Sequence, residues 1–234
     1  MLYYIFTFLM GLLGGFLAGL IGIGGGIIYV LVLPYVLTGM GIPETEIVQY
    51  TIANSIVGTM FAGLAGNITH IMRKEFYLKP VIAIAASGLM AAFLALKFVV
   101  NTDWYQKEQF NPLIIGITIF IIYRTLWKVW KKGKVDIERK GGAIAYSITG
   151  VLGGGISALS GLGGGIVIIP ILNSGMNMTM RKAKSISLGV IFITALAITI
   201  SSLMQTPNES IEYLSVGYVI IPVAAALALG VSIA

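Results

Sequence analysis

Seven apolar blocks make up most of the chain, at 3–38, 46–71, 78–100, 110–130, 142–173, 183–205 and 216–234. Each approaches or exceeds the roughly 20 residues that a helix needs to cross a bilayer. All nine Asp and Glu residues fall in the polar connectors, Glu46 at the boundary where the second block begins. Apolar residues fill 57% of the 234 positions and charged residues 10%, against about 45–50% and about 25% in soluble domains. One soluble core cannot hide that much apolar surface, so lipid must be the solvent. The fold class that follows is all-α, a polytopic integral membrane helical bundle, because helices satisfy their own backbone groups in hydrocarbon. The opening MLYYIFTFLMGLL carries no basic residue ahead of its apolar run. It is expected to be the first membrane segment, not a cleaved leader.

The net charge of +6 is gathered in connectors, with Lys131, Lys132, Lys134, Arg139 and Lys140 in one linker. Nucleic-acid binding would need a basic stripe on a folded face, so no nucleic-acid partner is expected. Basic connectors anchor on the cytoplasmic side, which places 131–140, Arg73 to Lys79 and Arg181 to Lys184 together. The blocks 3–38 and 142–173 are too long for one span and too short for two. If each enters and returns as a hairpin, every basic connector falls on one side and the chain is a multi-pass protein of the cell membrane.

The chain also repeats itself. Residues 11–33, GLLGGFLAGLIGIGGGIIYVLVL, superpose without gaps on residues 150–172, GVLGGGISALSGLGGGIVIIPIL, 139 positions later. The repeat is expected to divide the chain into 1–131, a basic cytoplasmic linker at 132–141, and 142–234, where a full second copy would call for one further span after Ala234. Each copy would be a glycine-broken re-entrant hairpin plus about three spans. That odd number of crossings makes the two copies inverted repeats, a recurrent transporter design.

Irregular backbone at membrane depth survives only where protein or a water-filled cavity covers it. The turns at Gly22, Gly24, Gly25, Gly26 and at Gly161, Gly163, Gly164, Gly165 are therefore expected at the centre of the fold. A turn of this kind frees N–H groups at the next half-helix, near Ile27 and Ile166, and these donors suit an anion. Close helix packing through small-xxx-small spacing is the alternative use of the same glycines. Thr51, Asn54, Ser55 and Thr59 step by three or four and share one helical face. Thr51, Asn54, Ser55, Ser185 and Ser187 join the candidate substrate site, with Lys184 as a charge at the cavity mouth. With no acid inside a span, carboxylate proton relays and cation paths lack residues. No catalytic constellation, metal cluster or cofactor motif is present: there is no cysteine and one histidine, His70. The chain is not expected to be an enzyme.

The doubled glycine motif, the small and hydroxyl-rich segment after each copy and the basic linker resemble the TauE/SafE family. This is the family of sulfite and organosulfonate transport proteins also called the toluene sulfonate uptake permeases. The resemblance runs the length of the chain. It implies seven or eight spans in two repeats and movement of sulfite, sulfonates or related sulfur-containing anions. RKAKSIS stands where many relatives carry a smaller Ala-x-Gly-Thr-like opening, which implies a different substrate preference. The expected function is secondary transport of a small anion bound near the midplane between the two turns, with alternating access and a proton or sodium ion as coupling partner. Two alternatives remain at this point: a non-transporting membrane scaffold or partner subunit, and a transporter of a cation or metal.

Overall fold

The computed structural model describes residues 2–21, 25–102, 104–130, 142–207 and 214–233. Helix α1 (Leu2–Ile21) is followed by α2 (Gly26–Gly39), α3 (Ile47–Met72) and α4 (Leu78–Ala95), which continues through a π-helical turn to Val100. Helix α5 (Lys107–Trp130) precedes the second half. There α6 (Ala143–Ser160) leads to α7 (Gly165–Pro170), extended by a π-helical turn to Gly175. Helix α8 (Met180–Met204), a short hairpin of β1 (Ser215–Val216) and β2 (Val219–Ile220), and α9 (Ile221–Ile233) complete the described chain. Among the described residues four helices, α3, α4 with its π turn, α6 and α8, are long and apolar enough to cross a membrane. Phe93 and Phe98 on α4 and its π turn, Ile119 and Ile122 on the next helix, Ile144 on α6 and Met204 on α8 stand exposed. In a bilayer such side chains meet lipid, whereas a soluble protein rarely leaves so large an apolar surface bare.

The long first block is broken, and the chain folds back on itself. Tyr29 on α2 lies against Gly14 on α1, and its hydroxyl points at Gly11 O, 3.5 Å away. In an unbroken helix residues 14 and 29 would be about 22 Å apart. The second copy repeats this fold-back, with Ile168 against Gly153, and Gly153 and Ile168 are the residues 139 positions after Gly14 and Tyr29. Gly25 caps α2 at φ 73°, ψ −8°, and Gly164 caps α7 at φ 72°, ψ −16°. The sequence repeat is thus a structural repeat down to the backbone angles of one glycine.

Packing follows the same exchange. Helix α3 lies against α8 at the centre. Helix α4 packs on α6 and α8, while its counterpart α9 packs on α1 and α3. Both outer pairs are backbone-to-backbone crossings. A Cβ at Gly11 would stand 2.7 Å from Leu227 O on α9, and a Cβ at Gly150 or Gly154 would overlap the backbone of α4 at Ile84 or Gly88. These glycines serve the close packing that small residues permit.

The last apolar block, 216–234, does not begin as a helix. Gly217 sits at φ 56°, with Ser202 O where a Cβ would go. That tight approach turns the chain through β1 and β2 before Pro222 opens the first turn of α9, where its missing N–H costs nothing. The connectors gather at two ends of the bundle. At one, Lys107 pairs with Glu44 (3.0 Å), Gln49 Nε2 donates to Val100 O (3.3 Å), and the Tyr218 hydroxyl donates to Glu46 (3.2 Å). At the other, Arg181 pairs with Glu75 (2.9 Å) and Ser185 Oγ donates to Glu75 O (2.6 Å).

Candidate functional site

The centre of the fold is the turn between α6 and α7. Gly161 closes α6 in the left-handed region, its N–H donating to Ser157 O at 2.9 Å, and the Leu162 N–H donates to Ser160 Oγ at 3.3 Å. Gly163 and Gly164 follow at φ 83° and 72°. The Gly164 carbonyl then accepts from Val167 (3.0 Å) and Ile168 (3.1 Å). Between these bonds, the N–H groups of Gly163, Gly164, Gly165 and Ile166 find no acceptor among the described residues. Four consecutive donors without an acceptor make this buried turn electropositive, which favours an anion.

The two repeats touch here. A Cβ at Gly26 would stand 2.8 Å from Leu162 Cα, so the start of α2 lies directly on the second turn. The Ser55 hydroxyl donates to Gly161 O at 3.1 Å, and a Cβ at Gly161 would stand 3.2 Å from Ile52 Cα. One helical turn further on, the Thr59 methyl fills the space beside Gly163. The Thr59 hydroxyl is fully buried and has no partner among the described residues, and the same holds for Thr51 and Ser157. A buried hydroxyl left unpaired costs roughly 1–3 kcal/mol, so its retention beside four free N–H groups asks for a ligand. The buried carboxylate on this helix, Glu46, is 13 residues from Thr59, about 20 Å along α3, so nothing acidic on α3 repels an anion at the turn.

The candidate residues do not all meet at this point. Gly25, Gly26, Ile27, Gly161, Gly163, Gly164, Gly165 and Ile166 belong to the turns, and Ser55 reaches them; Gly22 and Gly24 lie outside the described residues. Asn54 is engaged elsewhere. Its Nδ2 donates to Tyr50 O (2.8 Å) and Tyr218 O (3.1 Å), and its Oδ1 accepts from the Ile220 N–H (3.1 Å), so it pins the β1–β2 hairpin. Ser185 does the equivalent at the opposite end by holding Glu75 O. Lys74 and Gly217, just before Glu75 and Tyr218, share φ 56°, so Asn54 tethers a left-handed bend that leads into α9, and Ser185 one that leads into α4. Ser187 is buried on α8 one turn from Ile191, which packs against Gly163. Lys184 stands on the first turn of α8, at the Glu75 end, about 10 Å along the helix from Ile191.

Thr59 and Ser157 are buried at this turn without being among the substrate-site residues expected from the sequence. Thr59 carries a signal in its shared face with Thr51 and Ser55; Ser157 replaces Ala18 of the first copy and carries none. Replacing Asn54 by Ala is expected to remove the acceptor of the Ile220 N–H and one donor to Tyr218 O, costing about 1–3 kcal/mol. A thermal melt in detergent checks this.

The family model described as sulfite exporter TauE/SafE matches residues 7–234. The chain is similar to a probable membrane transporter protein of Methanocaldococcus jannaschii, 29% identical over 225 residues that cover 94% of this chain and 79% of that protein. It is also similar to one of Haemophilus influenzae, 27% identical over 216 residues (92% and 79%), and to YunE of Bacillus subtilis, another probable membrane transporter protein, 24% identical over 223 residues (86% and 79%). No solved structure matches.

Proposed function

Because the chain belongs to the sulfite exporter TauE/SafE family and is a multi-pass membrane transporter, we propose that its cargo is a small sulfur oxyanion, sulfite or a sulfonate, held at the turn 163–166. The observation that carries this reading is the run of four unpaired N–H groups beside the unpaired Thr59 hydroxyl. A sulfur oxyanion presents several oxygens on one tetrahedral or pyramidal centre, and a concave turn can donate to more than one of them. An anion stripped of water needs fixed dipoles in place of its hydration shell. Backbone donors supply them without a full positive charge, so binding stays weak enough for release.

The two repeats, 1–131 and 142–234, would form inverted halves that rock against each other about the α3–α8 contact, with the basic linker 132–141 in the cytoplasm. The exchanged packing of α4 on α6 and α9 on α1 supports this design, since either half can present the same surfaces to the other. The test is uptake by proteoliposomes of labelled sulfite and labelled methanesulfonate, with chloride, phosphate and sodium as comparison ions. Saturable sulfite or sulfonate flux is expected. Flux of sodium or another cation alone, or none in folded protein, would contradict the proposal.

A further inference from the structure

Helix α5 packs on α3 and α6 but leaves a groove of about 410 Å³ between itself and α2. The buried side chains of Val30, Val48, Phe110 and Ile114 make its floor, and the exposed Leu31, Tyr35 and Ile115 flank its mouth. It runs from Val30 to Thr38 along α2 and from Ile115 back to Lys107 along α5. Each stretch rises about 12 Å, close to the roughly 15 Å that one leaflet gives to a bilayer's hydrocarbon core. The inner end abuts the central turn, since a Cβ at Gly161 would stand 3.2 Å from Val30 Cγ2. The other end is polar. Lys107 Nζ lies 3.0 Å from Glu44 Oε1, and Asn111 lines the groove one turn further along α5. Trp104, exposed just ahead of α5, marks this level as the membrane interface, where tryptophans gather.

We propose that this groove seats a phosphatidylethanolamine molecule, one acyl chain lying between α2 and α5 and the headgroup resting on the Lys107–Glu44 pair. The inference stands apart from the anion-transport reading. The occupant follows from the chemistry along the groove. An anion on the apolar floor would lose its hydration with no donor to replace it, whereas an acyl chain enters such walls without that cost. At the rim both signs of charge stand side by side. A lipid phosphate can accept from the Lys107 ammonium and the Asn111 amide, and a primary ammonium can donate to the Glu44 carboxylate, bonds that charge strengthens. An anionic headgroup would leave Glu44 against a like charge, and the quaternary ammonium of choline has no N–H to donate. Glu44 is exposed, and an ion pair with an exposed partner is weak, so it opens readily to a headgroup. A chain filling the groove also supports Val30 from the side opposite Gly161, and thereby holds α2 on the central turn.

The test uses the full chain, stripped of lipid in detergent and melted with phosphatidylethanolamine, phosphatidylcholine or phosphatidylglycerol of identical acyl chains. Phosphatidylethanolamine should raise the melting temperature by about 2–4 °C more than either of the others, and native mass spectra should show it retained. Glu44→Gln combined with Lys107→Gln should melt like wild type without lipid and lose the distinction between headgroups. Ile115→Trp, at an exposed position on the mouth, should fill the groove and weaken phosphatidylethanolamine binding by about tenfold or more, with lipid-free melting unchanged. Equal shifts from all three lipids would mean unselective bilayer contact and overturn the proposal. A headgroup preference that survives in the double variant, or lipid retention undiminished in Ile115→Trp, overturns it as well. The chain has no cysteine, so Ile115→Cys tests the rival occupant, a second copy. Disulfide-linked dimers formed in lipid vesicles would contradict the lipid seat, and monomers are expected.

Discussion

Leucine at Gly164 or at Gly25 should abolish recovery of folded protein, and the two substitutions should fail alike. Both positions cap a half-helix in the left-handed region, where a side chain costs about 1–2 kcal/mol. Both also press on backbone. A Cβ at Gly25 would stand 2.5 Å from Gly14 O, and a Cβ at Gly164 would overlap Gly153 O, the equivalent atom of the second copy. A carbonyl inside a packed helix cannot move aside as a flexible side chain can. The combined penalty reaches several kcal/mol, a large part of the about 5–15 kcal/mol that holds a typical domain folded. Gly116 and Gly155 provide the comparison, since a Cβ at either meets nothing within 4 Å. Alanine there should be neutral or stabilising by about 0.5–1 kcal/mol, as helix interiors favour it. Size-exclusion yield and thermal melts in detergent separate the two classes. Wild-type melting of the Gly25 and Gly164 variants would show that the turns tolerate another geometry.

Thr59→Val should cut anion affinity and flux by about tenfold to a hundredfold while leaving the protein as stable or more stable. Valine keeps the methyl that fills the space beside Gly163 and removes only the hydroxyl. A hydrogen bond to a charged ligand is worth about 1.5–3 kcal/mol, and each 1.4 kcal/mol is about tenfold in affinity. In the empty protein that hydroxyl is buried without a partner among the described residues, so its loss relieves a cost. A purely structural threonine would show the opposite pair of effects, lower stability with unchanged flux. Substrate-protected melting curves and proteoliposome uptake, measured on one preparation, distinguish them.

The glycine breaks were legible in the sequence because they are local. Five glycines between Gly19 and Gly26 cannot continue a helix cheaply, and their recurrence 139 residues later names the structural repeat. The fold-back of 3–38 follows from the charges of distant connectors. What stayed hidden depends on partners far away in the chain. Asn54 looks like any polar residue on a helix face until Tyr218 and Ile220 arrive to engage it. Glu46 reads as a solvated connector acid, yet it is buried and accepts a hydrogen bond from Tyr218, 172 residues away. Gly11 and Gly230 each look like weak points in a helix until the α1–α9 crossing brings their backbones together. The apolar block 216–234 hides the start of α9, because apolar content alone does not reveal that Gly217 must turn against Ser202.

Selenite, a heavier relative of sulfite with the same pyramidal shape, offers the most direct measurement. Crystals grown with selenite and diffracted at the selenium edge should show one anomalous peak within hydrogen-bond distance of the Gly165 and Ile166 N–H groups and of the Thr59 hydroxyl. A peak confined to another part of the molecule, with that turn empty, would contradict an anion site built from the backbone of the broken helix.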